Sequence, residues 1–339
     1  MEYNFTGYEQ ELEDLVESSD LEFLWGKSIC VVGATGLIGS YFTNLFLFLN
    51  DNYGFQIKLD LISSSLVGLS PVINRVNDWF NFRWDLRREW NTKLESDYVI
   101  FAAGYGQPKK FVSDPSGTIL VNTVGLSSLL DCVTNPDMKL LYCSSAEVYG
   151  NPNEVPTPET YKGVFDVDNP RSCYIEAKRT GEIIALQYNS VIARIALCYG
   201  VGMRYDDTRA MIEFIRKAKQ NGSIQLLGGA DSLRTYIYIY DCVRILLSLL
   251  RDSNKHRIYN VGGIDETVSI SELACIISEN VLGNRDGVVL SASVNNQGVA
   301  PDKVQLSMKR FLEEYPNFKQ HLSLNGGIKN LCNWFNQCV

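Results

Sequence analysis

Histidine is almost missing from this chain: two in 339 residues, His256 and His321, neither beside a Cys, Asp or Glu cluster at metal-ligand spacing. No metal is expected, and zinc sites and histidine-based triads fall away as candidate chemistries. The nine cysteines contain no Cys-x-x-Cys pair. Most lie in apolar runs and read as reduced core thiols of a cytosolic protein. Positive charge is in deficit, with 31 Lys and Arg against 39 Asp and Glu, a formal charge of -8. No global basic field gathers nucleic acid or an acidic membrane, so any anionic ligand must be met locally. Long apolar runs are also lacking, since LFLFL at 45–49 is far too short to span a bilayer. The acidic start of the chain (Glu9, Glu11, Glu13, Asp14, Glu17) does not resemble a signal peptide. A soluble cytoplasmic protein is expected.

What is present is an alternation. With 45% hydrophobic and 11% aromatic residues, the chain can bury a large core. Short β-like runs (SICVV, IKLDLI, DYVIFAA, MKLLYC, VIARIAL) are separated by helical ones (LIGSYFTNLFLFL, TILVNTVGLSSLLDCV and the segment 174–188). Strands separated by helices imply βαβ units, hence an α/β fold with a Rossmann-type doubly wound parallel sheet. The expected organisation is a helical extension over 1–25, a dinucleotide-binding domain over 26–193 joined by 235–263, and a smaller C-terminal substrate-binding domain over 194–339.

The run CVVGATGLIGS puts Gly33, Gly36 and Gly39 between a β-like and a helix-like segment. The first glycine permits a tight turn, the second lets backbone approach a pyrophosphate, and the third allows close helix packing, with the helix N-terminus facing the anion. The second strand is expected to end at Ser63, followed by Ser64 and Ser65, with Asp60 inside it. Serines neither repel a 2'-phosphate nor attract one as arginine would, so NAD and NADP both stay open. Asp85 is placed to meet an adenine amino group, or is a turn aspartate; Asn122 reads as structural. In LLYCSSAEVYG a strand ending at Cys143 leaves Ser144, Ser145 and Glu147 at its carboxyl end, where open parallel sheets bind ligands. Tyr174 and Lys178, four apart in RSCYIEAKR, share one helix face.

Taken in order, GATGLIG, WDLR, FAAG, NTVG, SSAEVYG, Tyr174-x-x-x-Lys178, ALCYG, RTYIYIYD and YNVGG resemble the extended short-chain dehydrogenase/reductases that modify nucleotide sugars. The resemblance runs from about residue 27 into the C-terminal region. It implies that Ser145, Tyr174 and Lys178 are catalytic, with Glu147 beside them. The cofactor, NAD or NADP, would meet Gly33, Gly36, Leu37, Ile38, Gly39, Ser63, Asp85, Leu86, Ala102, Ala103, Gly104, Tyr174 and Lys178. The nucleotide sugar would meet Ser145, Ala146, Glu147, Tyr174 and Arg234, the last through its diphosphate. A free phenol titrates at about 10, and a nearby ammonium and an oxidised nicotinamide would stabilise its phenolate. Tyr174 would then take the sugar's C4 hydroxyl proton as hydride leaves C4, giving a 4-keto sugar. A homodimer through a helix bundle is also implied.

The ketone acidifies the C5 proton, or turns a C6 carboxylate into a β-keto acid. Glu147 matches a glutamate of family dehydratases and decarboxylases, while Ala146 stands where dTDP-glucose dehydratases carry an aspartate. The segment 159–178, with its Pro-Arg-x-Cys-Tyr run, most resembles UDP-glucuronate decarboxylases. Leu197 replaces the asparagine usual before x-Tyr-Gly, and GVAPDK lacks the arginine common before Pro-Asp. Decarboxylation or dehydration is expected ahead of epimerisation. A non-catalytic dinucleotide sensor or scaffold is the rival from another class, but it would be expected to lose the tyrosine or the lysine.

Overall fold

The computed structural model describes residues 6–64, 80–226, 228–251, 254–290 and 301–338. Ser65, on the expected second βα turn, lies outside them. The first half contains α1 (Thr6–Ser18), β1 (Ser28–Val32), α2 (Leu37–Tyr53), β2 (Lys58–Ser63), β3 (Phe80–Arg83), β4 (Tyr98–Phe101), α3 (Pro108–Ser113), α4 (Pro115–Leu120), α5 (Leu126–Asp131), β5 (Lys139–Ser145), α6 (Ser172–Ala185) and β6 (Ser190–Ile195). The second contains β7 (Leu197–Tyr199), α7 (Ala210–Asn221), β8 (Ile224–Leu226), β9 (Leu233–Tyr238), α8 (Ile239–Leu250), β10 (Ile258–Val261), β11 (Thr267–Ser269), α9 (Ile270–Leu282), β12 (Val288–Leu290), β13 (Lys303–Val304), α10 (Lys309–Glu314) and α11 (Leu324–Cys338).

Seven strands form one sheet in the order β10-β6-β5-β4-β1-β2-β3, every neighbouring pair parallel. Such strands are covered on both faces, which explains why SICVV and YVIF read as unbroken apolar runs. On one face Phe42, Leu45 and Phe46 of α2 pack with Leu246 and Leu249 of α8; on the other Leu126, Leu129 and Leu130 of α5 meet Phe101, Leu140 and Ile192. From β1 the order runs outward one way through β2 and the other way through β4. The crevice at the carboxyl ends of β1 and β4 is therefore the topological switch point where such sheets take ligands. A second sheet is centred on β9, which pairs with β7, β11 and β13.

Two local departures from the sequence reading have physical causes. The helix expected over 118–133 is interrupted by a wide π turn at Val121–Gly125. There the Asn122 amide donates to the Thr118 carbonyl at 2.9 Å, and Gly125 packs so closely on the Leu86 carbonyl that a side chain would collide. The strand expected to end at Cys143 continues to Ser145, because its ladder with β6 runs on to pair Ser145 with Ile195. Ahead of the sheet, α1 inserts Leu12 and Leu15 into the core and carries Glu11 into a nest of Tyr8, Tyr41, Tyr238 and Asn330. No described helix is long and apolar enough to cross a membrane.

Candidate active site

The turn between β1 and α2 is built for close backbone approach. Gly33 has φ +86°, and a Cβ there would lie 2.9 Å from the Ala102 carbonyl and the Ala103 Cα. A Cβ on Gly39 would overlap the Gly33 carbonyl. Gly36, the N-cap of α2, brings no side chain over the helix's first amides, so Leu37 and Ile38 start the helix facing an open turn. Behind it, Ser63 is buried and its hydroxyl sits 2.6 Å from that of Thr35. This cradle, apolar at Ala102 and Ala103 and lacking side chains at its glycines, fits a dinucleotide's pyrophosphate.

The ends of β4, β5 and α6 converge on Lys178. Its buried ammonium donates to the Cys143 carbonyl at 2.9 Å and the Ala103 carbonyl at 3.4 Å, and lies 5.1 Å from the centre of the Tyr142 ring. Burial pushes its pKa down to about 8. Gly104 (φ +142°) passes close by, a Cβ there falling 3.5 Å from the lysine nitrogen. Tyr174 is buried one turn earlier on α6, beside Ser145. Burial and then the Glu147 charge push its phenol up to about 12, against Ser145, Arg171 and Arg209, which act to lower it. Two guanidiniums thus act on the phenol, while the Lys178 ammonium is turned to the two carbonyls.

Glu147 follows β5 in a 3-10 turn that the Ser145 hydroxyl caps by accepting its N–H at 3.2 Å. Its carboxylate is gripped by Arg171, Nε donating to Oε2 at 3.2 Å and Nη2 to Oε1. Arg171 is the N-cap of α6, its carbonyl accepting the Tyr174 N–H at 3.0 Å. Under both lies the buried ring of Phe111 from α3, stacked on the Tyr174 ring at 4.6 Å and 12°, and 5.2 Å from the Arg171 guanidinium carbon. Arg171, Arg209 and Phe111 were not singled out from the sequence. For Arg171 the signal was available in the Pro-Arg-x-Cys-Tyr run.

Arg234 donates to the Leu233 and Asp302 carbonyls at 2.8 and 3.2 Å, and Glu147 and Arg171 are among the charges acting on it. Burial lowers its pKa from the usual guanidinium value. Ala146 is buried beside Glu147, and Ser144 is turned away to Glu182 at 2.6 Å. Leu86 is buried near the α4–α5 junction. Asp85 is half-exposed, both its oxygens held by Arg87 at 2.8 and 2.9 Å, which lowers its pKa. An adenine at Asp85 would compete with that pairing. Asn122 is structural, as its sequence suggested, accepting the Tyr142 hydroxyl at 3.0 Å.

A sequence model described as the NAD dependent epimerase/dehydratase family matches residues 29–262. The chain is 27% identical over 316 residues to UDP-glucuronic acid decarboxylase 1 of Arabidopsis thaliana, covering 91% of this chain and 69% of that one. It is also 27% identical over 265 residues to UDP-glucuronic acid decarboxylase 1 of Danio rerio, where the match spans 75% of this chain but only 61% of the relative. In fold it is similar to UDP-N-acetylglucosamine 4-epimerase from Methanobrevibacter ruminantium, solved in complex with UDP-N-acetylmuramic acid. The TM-score is 0.75 at 20% identity, covering 92% of this chain and 99% of that one.

Proposed function

The chain belongs to the NAD-dependent epimerase/dehydratase family of extended short-chain dehydrogenase/reductases, and from that premise we propose that it oxidises a nucleotide-bound sugar at C4 and decarboxylates the resulting 4-keto uronate. The observation that carries this reading is the charge of Glu147, which acts on both the Tyr174 phenol and the Arg234 guanidinium. Acid or base, phenol and anion-binding fork therefore share one space at the carboxyl end of β5. The similarity to UDP-glucuronic acid decarboxylases supports the same branch.

Tyr174 is the general base, taking the C4 hydroxyl proton, with Ser145 donating to the same oxygen. Gly33, Gly36 and Gly39 would hold NAD, which would supply the reversible hydride acceptor for C4. Since burial pushes the phenol up to about 12, it needs positive charge close by when it acts, and Arg171 and Arg209 contribute. Lys178, anchored by the Cys143 and Ala103 carbonyls, presents its remaining donor capacity to the nicotinamide ribose. Arg234 holds the diphosphate. Once C4 is a ketone, a C6 carboxylate leaves as carbon dioxide, its bonding electrons passing into a C4–C5 enolate, and C5 is then protonated. Glu147 is the chain's own group nearest that role. The second reading, C4 epimerisation, uses the same first step and is supported by the 4-epimerase likeness in fold.

Incubation with UDP-, GDP-, dTDP- and CDP-sugars and uronates, followed by mass spectrometry, separates these branches. Loss of carbon dioxide from a uronate is expected; loss of water, or unchanged mass with altered stereochemistry, would replace this reading. Glu147→Gln should keep cofactor binding and slow the decarboxylating step by about 10²-fold or more. The homodimer belongs to the same proposal, with support from the exposed Ile119, Leu120 and Ile183 on α4 and α6. A sedimentation mass of one chain at micromolar concentration would remove it.

A further inference from the structure

We propose that Arg171 is a positioning residue for the C4 oxidation: its guanidinium fork fixes and charge-matches the Glu147 carboxylate beside Tyr174, on a Phe111 ring that supports both Arg171 and Tyr174. The inference rests on the reaction proposed above and deepens it, since it says how a carboxylate needed late in the reaction is tolerated next to a phenol that must become anionic early.

The geometry is unusually constrained. Both carboxylate oxygens of Glu147 are engaged by one guanidinium, and the two side chains are only 16% and 9% exposed. Arg171 also starts α6, so the residue that holds Glu147 sets the first turn carrying Tyr174, its carbonyl accepting the N–H groups of Tyr174 and Ile175 at 3.0 and 3.2 Å. Phe111, stacked 12° from parallel with the phenol ring, supports that ring on one face. The titratable and charged groups facing Tyr174 are Glu147 after β5, Arg171 at the start of α6, Arg209 before α7 and Tyr142 within β5. Lys178 lies one turn further along α6, directed to carbonyls. Of these, Glu147 is the carboxylate, and an unmatched negative charge there opposes a phenolate directly. Arg171 needs no contact with sugar or cofactor to act; it acts by holding Glu147 and by its own charge beside the phenol.

The test reads the phenol itself. Full-length protein loaded with NAD and labelled with [13Cζ]tyrosine is titrated by NMR, the Tyr174 signal being assigned by its absence in Tyr174→Phe. Arg171→Met should raise the midpoint by about one pH unit or more, and Glu147→Gln should lower it by a similar amount. The double variant should fall between them, at or below wild type, because Glu147 opposes the phenolate more strongly than Arg171 favours it. Should Arg171→Met not fold, comparing Glu147→Gln with the Glu147→Gln, Arg171→Met double variant still isolates the guanidinium, since the double variant carries neither charge of the buried pair. A midpoint unchanged by Glu147→Gln, or a double variant identical to Glu147→Gln alone, overturns the proposal. No sugar is needed for these measurements. A failed substrate panel with these shifts intact would therefore sink the reaction and leave the pairing, and the converse result would sink the pairing alone.

Discussion

Glu147, at the carboxyl end of the main sheet, meets a guanidinium on both oxygens, whereas Glu11, under the amino-terminal helix, meets only the Tyr238 hydroxyl at 2.6 Å and the Asn330 amide at 3.3 Å, both on one oxygen. Each glutamate is largely buried and each stands beside tyrosines. Around Glu11 three polar atoms have no hydrogen-bond partner among the described residues: its own Oε2, the Tyr41 hydroxyl and the Asn44 Oδ1. Burial, with nearby Asp241 and Asp14 adding to it, pushes the Glu11 carboxyl up to about 7. The contrast teaches where this molecule spends its arginines. Glu147 has a fork, as Glu182 has in Arg194, whereas Glu11 is left to hydroxyl and amide.

The contrast can be broken most sharply at the two tyrosines. Tyr174→Phe should cost about 10³-fold in turnover while leaving the melting temperature nearly unchanged. Tyr238→Phe should do the reverse, destabilising by about 1 to 3 kcal/mol through loss of a bond to a buried carboxyl, with turnover kept. Equal effects of the two variants on turnover would erase the distinction.

A smaller effect sharpens it. With the Glu11 carboxyl raised to about 7 in the folded protein, the native state binds more protons than the unfolded chain between its ordinary carboxyl range and that value. Its stabilising share is complete at low pH and fades as pH rises toward 7. Glu11→Gln, which removes the titration but keeps an acceptor for Tyr238, should therefore gain stability relative to wild type between pH 4.5 and 8, on the order of 3 kcal/mol. A difference in melting temperature that is flat with pH would refute this.

Much of the main sheet was legible because buried parallel strands announce themselves as apolar runs and because glycine spacing fixes the first βα turn. Gly33 was picked out by glycine spacing and Ser145, Tyr174 and Lys178 by spacing and resemblance, and the structure brings Ser145 to Tyr174 and Lys178 to Ala103. What the sequence hid depends on side-chain direction or distance along the chain. Asp85 turns to Arg87 two residues away, a choice of rotamer that spacing does not encode. The Glu147 fork crosses 24 residues and the Glu11 bonds cross 227 and 319, so neither is visible in a local window. The Phe111 stack joins α3 to α6, and the π turn at Val121–Gly125 comes with a side-chain amide donating to Thr118.

The strand β10 returns to the main sheet only after the chain has passed through the second one, and it lies against β6, where the Ile192 N–H donates to the Arg257 carbonyl at 2.7 Å and the Ala196 N–H to that of Val261 at 2.8 Å. Cutting the chain just after Ala196 to isolate the first half would strip β10 away and leave β6 with a raw margin of unsatisfied amides and carbonyls. Such a margin is a template for neighbouring molecules, so the fragment is set to recruit its own kind into aggregates rather than stand alone. Anyone seeking a minimal cofactor-binding piece of this protein must carry β10 along with it.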